Sequence, residues 1–388
     1  MNYIYLSPEF PPNYKNFILA LHRGGARVFG IGEVDFYSMP EDLRSALAWY
    51  VRCDMGDTNA FLLAADFLVR EVIRGRVDVV ESHNEHWMRH EALLNERFDV
   101  EGIRPADIDR LRKKYRMKEL FRANGIPVAE GCLTAGDREA CLAFARKAGY
   151  PLVLKPNQGV GAFGVFKVDD EHQLLHHLER IDRQEYVLER FINGRIVTYD
   201  GMTDRQGRVV FHNSLIYGCG VLESVQGLDT FFYSVRDIPE DLAALGKKIV
   251  SIFGIRRKFF HFEFFEAGGL RIPLEINARP PGGPILDMMN YGADCDLYRD
   301  YARMLKGQPV KAPAEKKYLV GFAGRKEKSY LLCHEDVLSR FGHRIVEEGE
   351  SPPLYWAGMG RYRYIFRSPV ENEILSIRDQ VLALRDAA

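Results

Sequence analysis

Short apolar runs alternate with amphipathic stretches through the first part of the chain, a pattern that predicts a small parallel sheet with helices on its faces. Residues 3–6, 26–31 and 77–81 read as strands, and residues 13–23 and 59–74 as helices. Between 113 and 193 the pattern gives a helix at 114–124, a helix at 137–148, two short strands around a glycine-rich loop, a helix at 171–180 and a strand entering 186–194. Beyond 194 the chain is strand-rich, with runs at 197–204 and 209–216, a hairpin near 260–279, and helices at 239–253 and 294–305. The tail, 310–388, carries strands at 317–323 and 362–366 and a polar helix at 371–384. The expected class is α/β (α+β), divided into segments 1–112, 113–193 and 194–388.

The hairpin holds the most specific chemistry. Phe260-His261-Phe262-Glu263-Phe264-Phe265 and Pro273-Leu274-Glu275-Ile276-Asn277-Ala278-Arg279 flank the turn signal Glu266-Ala267-Gly268-Gly269. Alternation puts His261 and Glu263 on one face of the first strand, and Glu275, Asn277 and Arg279 on one face of the second. Neighbouring buried carboxylates repel and lose hydration, so a cation is the natural compensation. Oxygen donors favour a hard ion such as magnesium, which leaves its remaining positions to water and phosphate. The plainer reading is an amphipathic hairpin with a solvated polar face.

Upstream, Leu152-Val153-Leu154-Lys155-Pro156 is an apolar strand ending in a lysine, followed by Asn157-Gln158-Gly159-Val160-Gly161-Ala162-Phe163-Gly164 and a second strand at 165–168. Glycines between strands let backbone N–H groups approach phosphate, with Lys155 supplying charge. The spacing matches G-x-G-x-x-G, but the dinucleotide fingerprint needs a helix directly after it, and a strand follows here. A Walker A lysine and the kinase catalytic segments are missing from the sequence. Read alone, these glycines also fit a tight hairpin.

Together these residues resemble the ATP-grasp superfamily, over roughly 113–307. The resemblance implies an ATP-grasp fold, with 1–112 as the preceding α/β domain, 113–193 as the small subdomain with the glycine loop, and 194–388 as the large subdomain plus a C-terminal extension. It implies nucleotide contacts from Lys114, preceded by Lys113, from Lys155, from Gly159, Gly161 and Gly164, and from the hinge Glu189-Arg190-Phe191-Ile192, with Glu189 facing the adenine amine or ribose. Glu263, Glu275 and Asn277 match magnesium ligands, with manganese as a substitute, and Arg279 with Lys155 matches the catalytic cations. The implied activity is ATP-dependent carboxylate–amine ligation through an acyl phosphate, an amino acid being one candidate acid. A carboxylating or purine-pathway ligase uses the same nucleotide site, and a non-catalytic nucleotide-binding protein is the third class. Relatives of this kind are commonly dimers.

Composition agrees. The chain has 388 residues, 46% hydrophobic and 28% charged, ordinary for two or three globular domains. A formal net charge of -1 argues against a nucleic-acid surface. Six scattered cysteines without a C-x-x-C pair read as reduced core residues. No apolar run approaches a membrane span and no leader pattern opens the sequence, so the cytoplasm is the expected compartment. Two features stay open: Ser82-His83-Asn84-Glu85-His86, at the carboxyl edge of a strand where open sheets bind ligands, and the charge run Arg325-Lys326-Glu327-Lys328, which reads as a solvated face or as a contact for phosphate or an acidic substrate. The glycine-broken stretch 217–223 reads as a loop bordering a second substrate.

Overall fold

The computed structural model describes residues 1–159, 163–181, 185–313 and 315–385. Three sheets organise them. The first is parallel, ordered β3-β2-β1-β4, from β1 (Asn2–Leu6), β2 (Arg27–Gly32), β3 (Leu47–Arg52) and β4 (Val79–Glu81). The second is antiparallel, ordered β5-β8-β6-β7, from β5 (Gly131–Leu133), β6 (Leu152–Pro156), β7 (Phe166–Val168) and β8 (Tyr186–Arg190).

The third sheet has nine strands and is antiparallel: β9 (Arg195–Thr203), β10 (Val209–Asn213), β11 (Leu215–Tyr217), β12 (Thr230–Ser234), β13 (Phe259–Ala267), β14 (Leu270–Asn277), β15 (Leu319–Arg325), β16 (Ile345–Glu350) and β17 (Tyr362–Ser368). Its order is β14-β13-β9-β11-β12-β15-β17-β16, with β10 also on β9. Residues 191–194 carry the chain from the second sheet to the third.

Most expected elements form, with shifted ends. Three differences have physical causes. Helix Glu41–Ala46 and strand β3 were absent from the sequence reading: both are short, and β3 alternates weakly at the sheet edge, with Trp49 half exposed. The expected 209–216 strand is two strands, because the chain changes partner there: Asn213 pairs with Asp200 of β9 and Leu215 with Ser234 of β12, with the buried Ser214 between them. Val221–Val225 is a short helix within the stretch read as a loop.

The charge run is a solvated face only in part: Glu327 and Lys328 are exposed, whereas Arg325 is buried. Arg325 donates Nε and Nη2 to the Val381 carbonyl at the end of helix Glu371–Val381. Lys326 binds the carbonyls of Trp356 and Ala357, and Lys328 pairs with Asp229 at 3.2 Å. No described helix is long and apolar enough to cross a membrane.

Two packing details fix the hairpin. Its loop is Gly268-Gly269, at φ 56° and 75°, the double positive φ of a two-residue turn whose twist suits the strands. Beyond it the register runs Phe264↔Pro273 and then Glu263↔Glu275, so Leu274 is an extra residue in a bulge. Phe260, Phe262, Phe264, Ile276 and Ala278 pack on one side against helix Glu240–Phe253, with Tyr199 of β9 between. Gly246 of that helix faces Tyr199 so closely that a Cβ would lie 2.0 Å from its Cδ1.

The parallel sheet joins the large one through a shared apolar core and through charge. Lys258, just before β13, is buried with Nζ 2.6 Å from Glu81 at the end of β4 and 2.9 Å from Glu91 of helix Met88–Arg97. Burial and the neighbouring Glu81 push Glu91 up to about 8 despite Lys258. Beyond Glu81, His83 at φ 50° stacks on Phe17 with centroids 3.9 Å apart. Burial, with the Lys258 charge adding to it, holds His83 down to about 3, so its ring is neutral.

Gly246→Ala should destabilise the protein by about 1–3 kcal/mol in denaturant unfolding, the cost of overpacking outweighing the helix propensity gained. His83 takes up a proton on unfolding at pH values below its ordinary 6.5, so its contribution is present above that pH and is lost on acidification towards 3. The stability gap between wild type and His83→Gln should therefore narrow as pH falls, by up to roughly 1.4 kcal/mol per unit. A gap constant with pH would show that His83 is not held neutral.

Candidate active site

Helix Lys114–Ala123 begins against the strand that carries Lys155. The Lys114 backbone N–H donates to the Asn157 carbonyl at 2.8 Å, and the Tyr115 N–H to the Asn157 side-chain oxygen at 2.9 Å. This docking turns the Lys114 side chain inward, where Nζ lies 3.0 Å from Glu275 Oε2 and donates to the Gly159 carbonyl at 2.9 Å. Lys113 turns outward and pairs with Asp109 at 2.9 Å. Lys114 is thus the lysine that faces the cleft. Burial opposes its charge, but Glu275 outweighs burial and raises its pKa; Glu275 is lowered in return.

Glu189 on β8 is the second centre. It lies diagonally across from Lys155, since Val187 pairs with Lys155 and Glu189 with Val153. Its Oε2 is 2.9 Å from Lys155 Nζ and 2.7 Å from Lys118 Nζ, all three side chains being buried. Burial works against the Glu189 charge, but Lys118 and then Lys155 hold its pKa below the ordinary carboxylate value. Burial, with the Lys155 charge beside it, brings Lys118 down to about 8. Glu189 Oε1 is buried without a partner among the described residues. Lys118 escaped the sequence reading, although it stands one helical turn from Lys114 and shares its face.

Of the rest of the hinge, Arg190 is exposed, and Phe191 and Ile192 are half-buried beside it. The Phe191 ring lies 5.3 Å from Lys167 Nζ, and its N–H donates to the Pro151 carbonyl at 3.2 Å. Gly159 at φ 140° and Gly164 at φ 71° border the loop in conformations that favour glycine. Gly161 lies outside the described residues.

On the hairpin, Glu263 and Glu275 face each other across β13 and β14, and Asn277 faces His261. Protein cations offset both carboxylates: Lys114 serves Glu275, and His261 serves Glu263. His261 Nε2 is 3.2 Å from Glu263 Oε1, and its Nδ1 is 2.6 Å from Asp200 Oδ1. Thr198 donates to Asp200 at 2.6 Å. Burial disfavours a charged imidazole, but Asp200 and then Glu263 outweigh it, raising His261 to about 9.

The donor set fits a hard cation that also takes ligand oxygens. Two opposed carboxylates stand with Asn277, whose side-chain oxygen is the atom that could join them on a cation; its buried Nδ2, unpartnered among the described residues, is a donor for a ligand acceptor. No group of three or more His, Cys, Asp or Glu among the described residues is arranged to hold a metal by itself. Such a set leaves positions for phosphate, as magnesium sites do.

Arg279 closes the arrangement. Its Nη1 donates to the Pro280 carbonyl at 2.9 Å, and its Nε lies 3.6 Å from Glu85 Oε2, in the loop after β4. Burial raises Glu85, and the nearby Glu275 adds to that, against the pull of Arg279. The 82–86 loop thus contributes an acid to the cleft, while His83 packs inward. Cys219 does not look like a nucleophile: burial raises its thiol, and Sγ donates to the Asp229 carbonyl at 3.5 Å.

Two buried lysines stand beside paired carboxylates and an arginine in one cleft, a set whose charges suit a metal-bound phosphate. Comparison with known proteins matches part of the chain to a family. Residues 148–287 match the ATP-grasp domain. The chain is 33% identical over 116 residues to the C-terminal section of the carbamoyl phosphate synthase large chain of Methanopyrus kandleri, covering 29% of this chain and 21% of that protein. It therefore spans only about a fifth of that relative's length.

The L-amino acid ligase of Bacillus licheniformis superposes with a TM-score of 0.71 at 16% identity, over 98% of this chain and 97% of that one. The biotin carboxylase domain of the Hydrogenobacter thermophilus 2-oxoglutarate carboxylase, solved with MgADP and bicarbonate, gives 0.66 at 14% identity, over 96% and 88%. At such identities the likeness is one of fold. Residues 148–287 thus match the ATP-grasp domain, and the chain as a whole shares the fold of these two structures.

Lys155→Ala should weaken nucleotide binding by about 1.5–3 kcal/mol, as loss of a charged hydrogen bond does. Lys167→Ala should do far less, because Lys167 is exposed and pairs only with Asp169 at 2.9 Å. Titration calorimetry with ATP compares them; equal losses would remove Lys155 from the nucleotide site.

Proposed function

We propose that this protein is an ATP- and magnesium-dependent ligase that activates a small carboxylate as an acyl phosphate and passes it to an amine. The observation that carries the reading is the convergence of Lys114, Lys155 and Glu189 with Glu263, Glu275, Asn277 and Arg279 around one cleft. Lys114 and Lys155 would hold phosphate oxygens as point charges, exchanging their present carboxylate partners for the nucleotide. Glu189, once released, offers its unpartnered oxygen to the adenine amine or ribose beside the Arg190-Phe191-Ile192 hinge. Glu263, Glu275 and Asn277 would hold magnesium, which would supply positive charge against that developing on phosphoryl transfer.

The substrate carboxylate oxygen attacks the γ-phosphorus, the bond to the β-phosphate oxygen breaks, and ADP leaves. The amine nitrogen then attacks the acyl carbon and loses a proton, the C–N bond forms, and the bond to phosphate breaks. Arg279 would stabilise the oxyanion of that adduct. The glycine loop, Gly159 to Gly164, would cover the acyl phosphate against water. The sequence relation to a carbamoyl phosphate synthase favours a second reading, in which bicarbonate is the acid phosphorylated; ADP release dependent on bicarbonate alone would select it.

Glu275→Gln tests the reading. The substitution keeps the shape but removes a metal-binding charge and the partner of Lys114. ADP release in the presence of a carboxylate and amine pool should fall roughly 100-fold or more, the scale of losing one electrostatic stabiliser. Calorimetry should show ATP still bound, and the thermal stabilisation added by magnesium should disappear. Normal turnover with a normal magnesium response would refute the metal assignment and the function built on it.

A further inference from the structure

Arg279 leads into Pro280-Pro281-Gly282-Gly283 and then helix Ile285–Ala293, and this turn borders a cavity of about 150 Å³ among the described residues. At roughly 30 Å³ per water, it has room for a few waters or one small organic group. Its other walls are Pro12 and Asn13, Phe322 of β15, the Glu347–Arg363 ion pair, and residues between Ser351 and Met359. Tyr355 stands between the cavity and Arg279, whose charge its phenol feels. Tyr14, next to Asn13, donates its hydroxyl to the Pro281 carbonyl at 2.9 Å. The cavity is thus the next compartment beyond the proposed reaction centre.

Its polar wall is unusual. Asp287 has only neutral donors, the Tyr298 hydroxyl at 2.8 Å and the Asn13 amide at 3.1 Å. Arg363, the cation whose field reaches Asp287, is committed to Glu347 at 2.8 Å. Burial, helped by Glu347, pushes Asp287 up to about 6, as expected of a carboxylate lacking a counter-ion. Ser351 Oγ, in a residue only 4% exposed, lines the same cavity without a hydrogen-bond partner among the described residues. A carboxylate without a cation and an unpaired hydroxyl, set in walls of proline, Phe322 and Met359, suit a compact cationic group with N–H donors.

We propose that this cavity is an ammonium subsite, in which Asp287 and Ser351 hold the amino group of the acid being activated, so that the acid is a small amino acid. The inference rests on the ligase reading above. An anionic site stabilises the protonated amine and suppresses its nucleophilicity. That suits the amino group of the activated acid, which must not compete with the acceptor as a nucleophile, and it does not suit the acceptor, whose nitrogen must be unprotonated. The carboxyl end of the same molecule then points back past Tyr355 towards Arg279.

The test replaces the acceptor with hydroxylamine, largely uncharged at neutral pH, and measures hydroxamate formed from each proteinogenic L-amino acid beside its deaminated analogue, propionate for alanine. The wild type should use a small amino acid and reject the analogue. Asp287→Asn should lower kcat/KM for that amino acid about tenfold or more with KM for ATP unchanged. Ser351→Val, which narrows the cavity without changing charge, should give the same loss should Asp287→Asn fail to fold. Equal use of amino acid and analogue would overturn the inference while sparing the ligase reading. So would unchanged hydroxamate formation by Asp287→Asn with loss only when an amino acid is the acceptor. If no acid yields hydroxamate, the ligase reading fails, and saturation-transfer NMR with L-alanine decides the cavity alone. A signal lost in Asp287→Asn supports the subsite; a signal retained there, or missing from the wild type, overturns it.

Discussion

Buried carboxylates need partners, and the cleft of this protein is arranged around that requirement. Glu189, Glu263 and Glu275 come from two sheets, and none is left to water alone. Their partners are Lys118 and Lys155, His261, and Lys114. Removing one member of such a pair is far more costly than either charge is worth in solution, because the survivor stays buried. The ion pairs therefore keep each lysine extended and each carboxylate oriented. In the function proposed above, phosphate and a divalent ion would replace partners of like charge without new burial of unpaired groups.

The Lys114–Glu275 pair has a second effect. Lys114 belongs to a helix docked on the four-stranded antiparallel sheet, and Glu275 to the nine-stranded one. The pair spans the two, as Lys258 with Glu81 and Glu91 spans the large sheet and the parallel one. Charge thus links all three layers at the cleft, alongside apolar cores that are themselves shared, as where Tyr3 and Phe17 pack with Phe259 and Phe322. Glu85 reaching Arg279 from the loop after β4 is a product of that linkage.

Legibility in the sequence followed the range of the interactions. Alternation along β13 and β14 was readable because it is local, and so were the lysine that ends β6 and the glycines after it. The choice between Lys113 and Lys114 was not readable, because it depends on Asn157, distant in sequence, capping the start of the helix. Asp200 could not be connected with His261 either. The two meet only through the β9–β13 register, where they are direct cross-strand partners. The charge run at 325–328 misled in part, for the opposite reason: its lysines and arginine satisfy carbonyls and an aspartate on segments that composition cannot place.

The bulge at Leu274 has a consequence for how this site tolerates change. Counted back from the Gly268-Gly269 turn, strict pairing would set Leu274 opposite Glu263 and carry Glu275 to the level of Phe262, among the aromatic side chains. The one surplus residue resets the phase, so that carboxylate meets carboxylate and Asn277 and Arg279 follow on the same side. The hairpin tip and the working end of β14 are consequently out of step by design. Removing Leu274 would restore strict pairing with Glu275 still opposite Glu263, so the bulge itself can be lost without moving the carboxylates. Removing a residue between Glu275 and Asn277 would instead carry Asn277 and Arg279 to the aromatic face, so a change of length beyond the bulge is the one the polar row cannot absorb.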